Sequence, residues 1–88
     1  MKIDFSPGFK KSYKKLITRR PDSAIIILEK ILLFAQDPQS PVLKLHKLKG
    51  EFKDVWSFSV EYDLRILLEF PEDNVAHFMV IGTHDEVY

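Results

Sequence analysis

The sequence predicts an α+β fold: a short N-terminal strand, an antiparallel two-helix hairpin, and a twisted antiparallel β-meander packed against the hairpin, in the order β-α-α-β-β-β. Two helical apolar stripes in the first half and three strand-like runs in the second half carry that prediction. The 88 residues, 45% of them hydrophobic and 30% charged, match one domain spanning 1–88.

Lys2–Phe5 holds Ile3 and Phe5 and is expected as an edge strand. Ser6-Pro7 then supplies an N-cap followed by proline at the first helical position, a strong helix start. Phe9, Tyr13, Leu16 and Ile17 recur at helical spacing and form one apolar stripe. Lys10, Lys11, Lys14 and Lys15 cover much of the remainder, Arg19-Arg20 suit the negative end of the helix dipole, and Pro21 ends the helix.

Asp22 or Ser23 can cap a second helix running to about Gln36. Ile25, Leu28, Leu32 and Ala35 share one face, and Ile26, Ile27, Ile31, Leu33 and Phe34 widen it, so this helix is expected to be mostly buried. The prolines at 38 and 41 mark a loop, and the basic stretch 44–50 is expected to be irregular. Residues 55–62 alternate Trp56, Phe58 and Val60 with Ser57, Ser59 and Glu61. Residues 64–70 alternate Leu64, Ile66, Leu68 and Phe70 with Arg65, Leu67 and Glu69, and 76–81 form the last strand. Tyr62-Asp63 and Pro71-Glu72-Asp73-Asn74 are the turns. Alternation puts one face on the helices and leaves Ser57, Ser59, Arg65 and Glu69 on an open face. Trp56 belongs to the core side, and His77 is a surface strand residue.

Composition removes several function classes. Without cysteine there are no disulfides and no thiolate metal sites. No apolar run reaches membrane-spanning length, and the first residues lack the features of a secretory leader, so a cytoplasmic protein with no membrane partner is expected. The formal net charge is zero, but residues 1–53 carry twelve Lys and Arg against five acids, and residues 54–88 carry one Arg against eight acids. A basic half of +7 facing an acidic half of −7 suggests a polyanionic partner, or two halves that neutralise each other across the fold.

The stretch 82–88, Gly-Thr-His-Asp-Glu-Val-Tyr, follows the last strand with nothing expected to pack after it. A meander returns it to the sheet end that carries the Tyr62-Asp63 turn and Arg65. Asp63, Arg65 and His84 therefore meet in one neighbourhood, and His46 precedes the meander within reach of it. Such a set suits RNA phosphodiester cleavage. That reaction needs a base for the 2′-hydroxyl, an acid for the leaving 5′-oxygen, and cationic donors for the phosphoryl oxygens. Histidine serves as either acid or base near neutral pH, and arginine binds phosphate as a fork. Tyr88 offers a ring for stacking on an unpaired base. The scattered histidines match no zinc spacing, and no glycine loop for phosphates is present.

The motif His46-Lys47-Leu48-Lys49-Gly50, then Asp63 and Arg65, then Ile81-Gly82-Thr83-His84-Asp85-Glu86-Val87-Tyr88 resembles the RelE superfamily of bacterial and archaeal toxins, nearest its YafQ-like branch. The resemblance covers nearly the whole chain. It implies a toxin of a type II toxin–antitoxin system: an mRNA interferase that enters the ribosomal A site and cuts mRNA without metal or other cofactor, held in check by a cognate antitoxin. It implies catalytic or site roles for His46, Asp63, Arg65, His84 and Tyr88. Lys10, Lys11, Lys14, Lys15, Lys47, Lys49 and Lys53 would contact RNA phosphates, although a solvated lysine face is the plainer alternative. Two positions depart from the YafQ-like pattern: Ser59 stands in place of a histidine, and Val80 in place of an arginine. The same superfamily also holds ParE-like gyrase inhibitors, and a degenerate member that binds antitoxin or RNA without cutting is a further alternative.

Overall fold

The computed structural model describes residues 1–52 and 54–88. Its elements are β1 (Lys2–Phe5), α1 (Pro7–Arg19), α2 (Ser23–Gln36), β2 (His46–Lys47), β3 (Trp56–Ser59), β4 (Leu64–Glu72), β5 (Val75–Thr83) and α3 (His84–Val87), with short 3-10 turns at Pro41–Leu43 and Gly50–Phe52. The α+β architecture expected from the sequence is present. One five-stranded sheet runs in the order β1-β5-β4-β3-β2. β1 lies parallel to β5, and the other pairings are antiparallel.

α1 begins as its sequence dictates. Ser6 accepts a hydrogen bond from the Phe9 amide at 2.9 Å, and Pro7 fills the first helical position. The helix also completes the sheet. β1 covers β5 only as far as Phe78. Beyond that point α1 takes over the edge: Ser6 Oγ donates to the Met79 carbonyl at 3.0 Å, and Ser12 Oγ accepts from the Ile81 amide at 3.0 Å. Backbone groups that a missing strand would leave unpaired are thereby satisfied.

α2 differs from expectation in which face it buries. Asp22 sits at the N-cap position with helical dihedrals and makes no side-chain cap bond, while Ser23 is the first helical residue. Ile27 and Phe34 are buried, with Ile26, Ile31 and Leu33 packed beside them. Ile25, Leu28 and Leu32 are 71%, 57% and 54% exposed. Two apolar stripes on this helix both satisfy the helical period. The one carrying Phe34 faces inward because its ring stacks on Phe58 at 4.9 Å and meets Phe78 edge-on at 5.6 Å. Phe34, Phe58 and Phe78 are fully buried and centre a core that also takes Leu16, Leu64, Ile66 and Leu68. Between α1 and α2 the other side opens as an apolar groove of about 270 Å³, lined by Phe5, Phe9, Tyr13, Ile27, Leu28 and Ile31, with Lys10 at its rim.

Three further expectations are revised. The stretch around His46 is not wholly irregular, since His46 pairs with Ser57 and Lys47 with Trp56. β4 continues through Pro71 to Glu72, leaving Asp73-Asn74 as the turn, and Asn74 takes the left-handed conformation with φ of 64°. Residues 82–88, expected as a stretch beyond the last strand with nothing packing after it, take up regular structure. β5 continues to Thr83, and α3 follows at once. Its capping box has Thr83 Oγ1 accepting from the Glu86 amide while Glu86 accepts from the Thr83 amide. No described helix is long and apolar enough to cross a membrane.

Candidate functional site

Register places the candidate residues on the face of the sheet away from the core. His46, Ser57, Leu67 and Val80 stand directly opposite one another across β2, β3, β4 and β5. Directly opposed residues point to the same face. One step toward the β3–β4 turn, Ser59, Arg65 and Gly82 form the next row. Part of this face is covered rather than open. Ser57 has no exposed surface and Leu67 only 4%, because the end of the chain folds over them.

That cover is α3 with Tyr88. Gly82 lets the helix settle on the sheet: a Cβ there would lie 3.1 Å from Val87 Cγ1 and 3.2 Å from Glu86 Oε1. The Tyr88 hydroxyl donates to Ser57 Oγ, and the Tyr88 ring meets the His84 ring edge-to-face with centroids 4.4 Å apart. Ser57 is the cross-strand partner of His46. His46, Ser57, Tyr88 and His84 thus form one continuous run, with the histidines at its two ends. The His46 ring bonds through Nδ1 to the Lys44 carbonyl at 2.9 Å. A carbonyl only accepts, so Nδ1 carries the proton and Nε2 of the neutral ring keeps its lone pair. His84 is exposed, with Nδ1 3.7 Å from Asp85 Oδ1.

Asp63 reaches this neighbourhood through its backbone. Its carbonyl accepts from the His84 amide at 3.1 Å. Its carboxylate turns toward the end of α1 and takes two hydrogen bonds from Arg20, at 2.9 and 3.3 Å. The Arg20 hydrogen bonds hold the Asp63 carboxyl below its ordinary range, and the Asp63 side chain in turn raises Arg20. Glu86 is lowered too, first by the backbone bond from Thr83 and then by the Thr83 side chain, with Arg19 contributing further. Arg19 donates to both Glu86 oxygens, at 3.2 and 3.4 Å. Arg65 lies flat along the turn, where its Nη1 donates to the carbonyls of Glu61, Tyr62 and Leu64 at 3.1, 3.0 and 3.1 Å. All its described hydrogen bonds run through that one nitrogen.

Lys10, Lys11, Lys14, Lys15, Lys47 and Lys49 are exposed, and Lys53 lies outside the described residues. Lys15 and Arg19 border a small pocket of about 180 Å³ with Val80 and Glu86, which places cations beside the one sheet position expected to carry an arginine. His77 sits on the strand surface and pairs with Asp4 of β1. No three histidines or carboxylates among the described residues cluster as a metal site. Sequence reasoning misses Arg20, Arg19 and Ser57. In sequence the first two merely suit the helix dipole, and Ser57 merely suits an open face. Only their partners across the fold, Asp63, Glu86 and Tyr88, distinguish them.

The whole chain, residues 1–88, matches the family model described as the bacterial toxin of type II toxin–antitoxin system, YafQ. No curated protein matches it by sequence. Among solved structures it resembles YafQ from Escherichia coli strain BL21(DE3), with TM-score 0.82 and 24% identity over 98% of this chain and 96% of that one. It also resembles a chain of the E. coli DinJ-YafQ toxin-antitoxin complex, with TM-score 0.70 and 26% identity over 98% of this chain and 94% of that one. A YoeB/ParE toxin from Agrobacterium tumefaciens shares the fold at TM-score 0.77 and 16% identity, over 96% and 99% of the two chains. With the helix hairpin and five-stranded sheet already described, the full-length family match means that the chain belongs to the YafQ family of bacterial type II toxin–antitoxin toxins.

Proposed function

We propose that this toxin acts as a single domain in the cytoplasm and cuts ribosome-bound mRNA by attack of a 2′-hydroxyl on the adjacent phosphate, without a metal or other cofactor. The observation that carries this reading is the run His46–Ser57–Tyr88–His84. It sets two imidazoles at the ends of one run of side chains on the sheet face away from the core. His46 takes the 2′-hydroxyl proton on Nε2, which its bond to the Lys44 carbonyl leaves free. His84 gives a proton to the departing 5′-oxygen. Bonds break and form in balance: the 2′-oxygen joins phosphorus, the 5′-oxygen leaves protonated, and a 2′,3′-cyclic phosphate remains. Arg65 and the α1 cations offset charge on the phosphoryl oxygens. Tyr88 stacks on a base at the cut. Asp63 does not transfer protons in this scheme, because Arg20 holds its carboxylate; it fixes His84 through its carbonyl. Ser59, in place of a third histidine, leaves the acid–base work to two.

The lysines of α1 and those at 47, 49 and 53 contact RNA phosphates, a salt-sensitive and sequence-independent term. A cognate antitoxin is the second partner. The exposed stripe Ile25, Leu28 and Leu32 beside the apolar groove supports a helical protein partner there, and the lysine rim favours an acidic one.

The deciding experiment is primer extension on cellular mRNA after induction. New cleavage ends in wild type that vanish with His84→Ala support the proposal. Growth arrest without new ends overturns it, and DNA breaks insensitive to His84→Ala would indicate a gyrase poison instead.

A further inference from the structure

A second cleft lies against the site, and of its lining only Arg65 takes part in the mechanism above. It occupies about 330 Å³ and is lined by Lys30 of α2, Val42 and Lys44 of the following loop, Ser59 at the end of β3, Val60, Glu61 and Tyr62 of the turn, and Arg65 of β4. The cleft exists because β2 is only two residues long. It covers β3 at Trp56 and Ser57 and stops, so the β3 edge at Ser59 is left facing the loop.

Its contents are those of a single-stranded nucleic-acid subsite. Three cations line it against one acid, Glu61, which is drawn toward Ser23 Oγ at 3.5 Å. Lys30 is anchored at the mouth by a single bond to the Val60 carbonyl, at 3.3 Å. Arg65 engages the turn through Nη1 alone among its described bonds. Tyr62 is 97% exposed, so its ring contributes nothing to the core, and the turn itself does not require an aromatic residue. A solvent-facing ring beside a basic cleft is the usual platform for an unpaired base. The cleft is at the small end of ligand sites, about 300–1,000 Å³, with room for one nucleotide. It also abuts the proposed base, since Lys44 lines the cleft and its carbonyl is the partner of His46 Nδ1.

We infer that this cleft holds the nucleotide next to the cleaved bond: Tyr62 stacks on its base, and Lys30 and Lys44 grip its phosphate. The inference rests on the nuclease reading and adds to it a subsite outside the histidine pair. Occupation of the cleft would set the register of the strand across His46.

The probe is a short 2′-O-methyl RNA, which lacks the attacking hydroxyl and so reports binding without cleavage, titrated by fluorescence anisotropy at several salt concentrations. Tyr62→Ala is expected to weaken binding about tenfold, stacking being worth about 1–3 kcal/mol per base, while Tyr62→Phe restores it. Lys30→Ala with Lys44→Ala is expected to flatten the salt slope by about 0.7 for each phosphate no longer neutralised. Tyr62 is too exposed for its removal to unfold the protein, and thermal melting of each variant checks this. Binding unchanged in Tyr62→Ala and in the lysine pair, with mRNA still cut by wild type, overturns the subsite and leaves the nuclease reading standing. A Tyr62→Ala variant that weakens antitoxin binding but not RNA binding also overturns it. No RNA binding by wild type, with no cleavage ends in cells, overturns both.

Discussion

The backbone amide of His84 donates to the backbone carbonyl of Asp63 at 3.1 Å. This bond ties the residue that opens α3 to the turn that opens β4. It is made where β5 returns beside β4, one step past the Leu64–Thr83 pair. His84 therefore takes its place from the sheet's register, and Asp63 from its grip on Arg20.

The Arg20–Asp63 pair yields a pH prediction. The Asp63 carboxyl is lowered in the folded chain, so ionised Asp63 stabilises the fold above its ordinary value of 3.8, and that stability is lost as pH falls through the lower folded value. Asp63→Asn is expected to lower the melting temperature at pH 6–7 and to fall less far below wild type near pH 3. Equal deficits at both pH values would mean the loss is one of shape rather than charge. The pair is partly exposed, so the effect should shrink in high salt.

The two histidines should differ from their surroundings in what they change. His46→Ala and His84→Ala are each expected to slow single-turnover cleavage on programmed ribosomes by about 10²–10⁴-fold, with melting temperature little altered because both are exposed. Loss of binding with an intact chemical rate would reassign them to RNA contact. Tyr88→Phe should retain the edge-to-face contact with His84 but lose the hydrogen bond to Ser57, giving a smaller fall than Tyr88→Ala.

Gly82 tests whether α3 must rest on the sheet. Alanine there crowds Val87 and Glu86 at 3.1–3.3 Å. Since α3 is short and peripheral, it should yield before the core does. Gly82→Ala is expected to cost little stability, on the order of 1 kcal/mol, and more than tenfold in cleavage, as His84 and Tyr88 ride on the displaced helix. Wild-type cleavage by this variant would show that the position of α3 is not critical.

The exposed stripe on α2 makes a different prediction. Leu28→Asp with Leu32→Asp should leave cleavage and melting temperature near wild type while weakening antitoxin binding, measured by calorimetry, by at least tenfold. Both side chains are more than half exposed, so the folded core loses little. Unchanged affinity would place the antitoxin elsewhere.

Local and periodic features are legible from the residues alone. Ser6-Pro7 starts α1, the alternating runs give β3 and β4, and the order of elements gives the sheet end where Asp63 and His84 meet. The capping box is also written in the sequence, as Thr83 followed three residues later by Glu86, but a four-residue helix is too short to show a period, so the sequence shows no helix in residues 82–88. For α2, periodicity allows two apolar faces. Only the aromatic cluster of Phe34, Phe58 and Phe78 decides between them.

By itself the sequence determined the α+β class, the chemistry available and the family pattern, because caps, turns and strand alternation depend on neighbours a few residues apart. Which groups are free to act was decided by the tertiary structure. Arg20 occupies the Asp63 carboxylate from 43 residues away, Tyr88 reaches Ser57 across 31, and β2 stops short and leaves a cleft beside Tyr62. Contacts between residues so far apart depend on strand register and on competition among apolar faces for one core, and no local pattern encodes either.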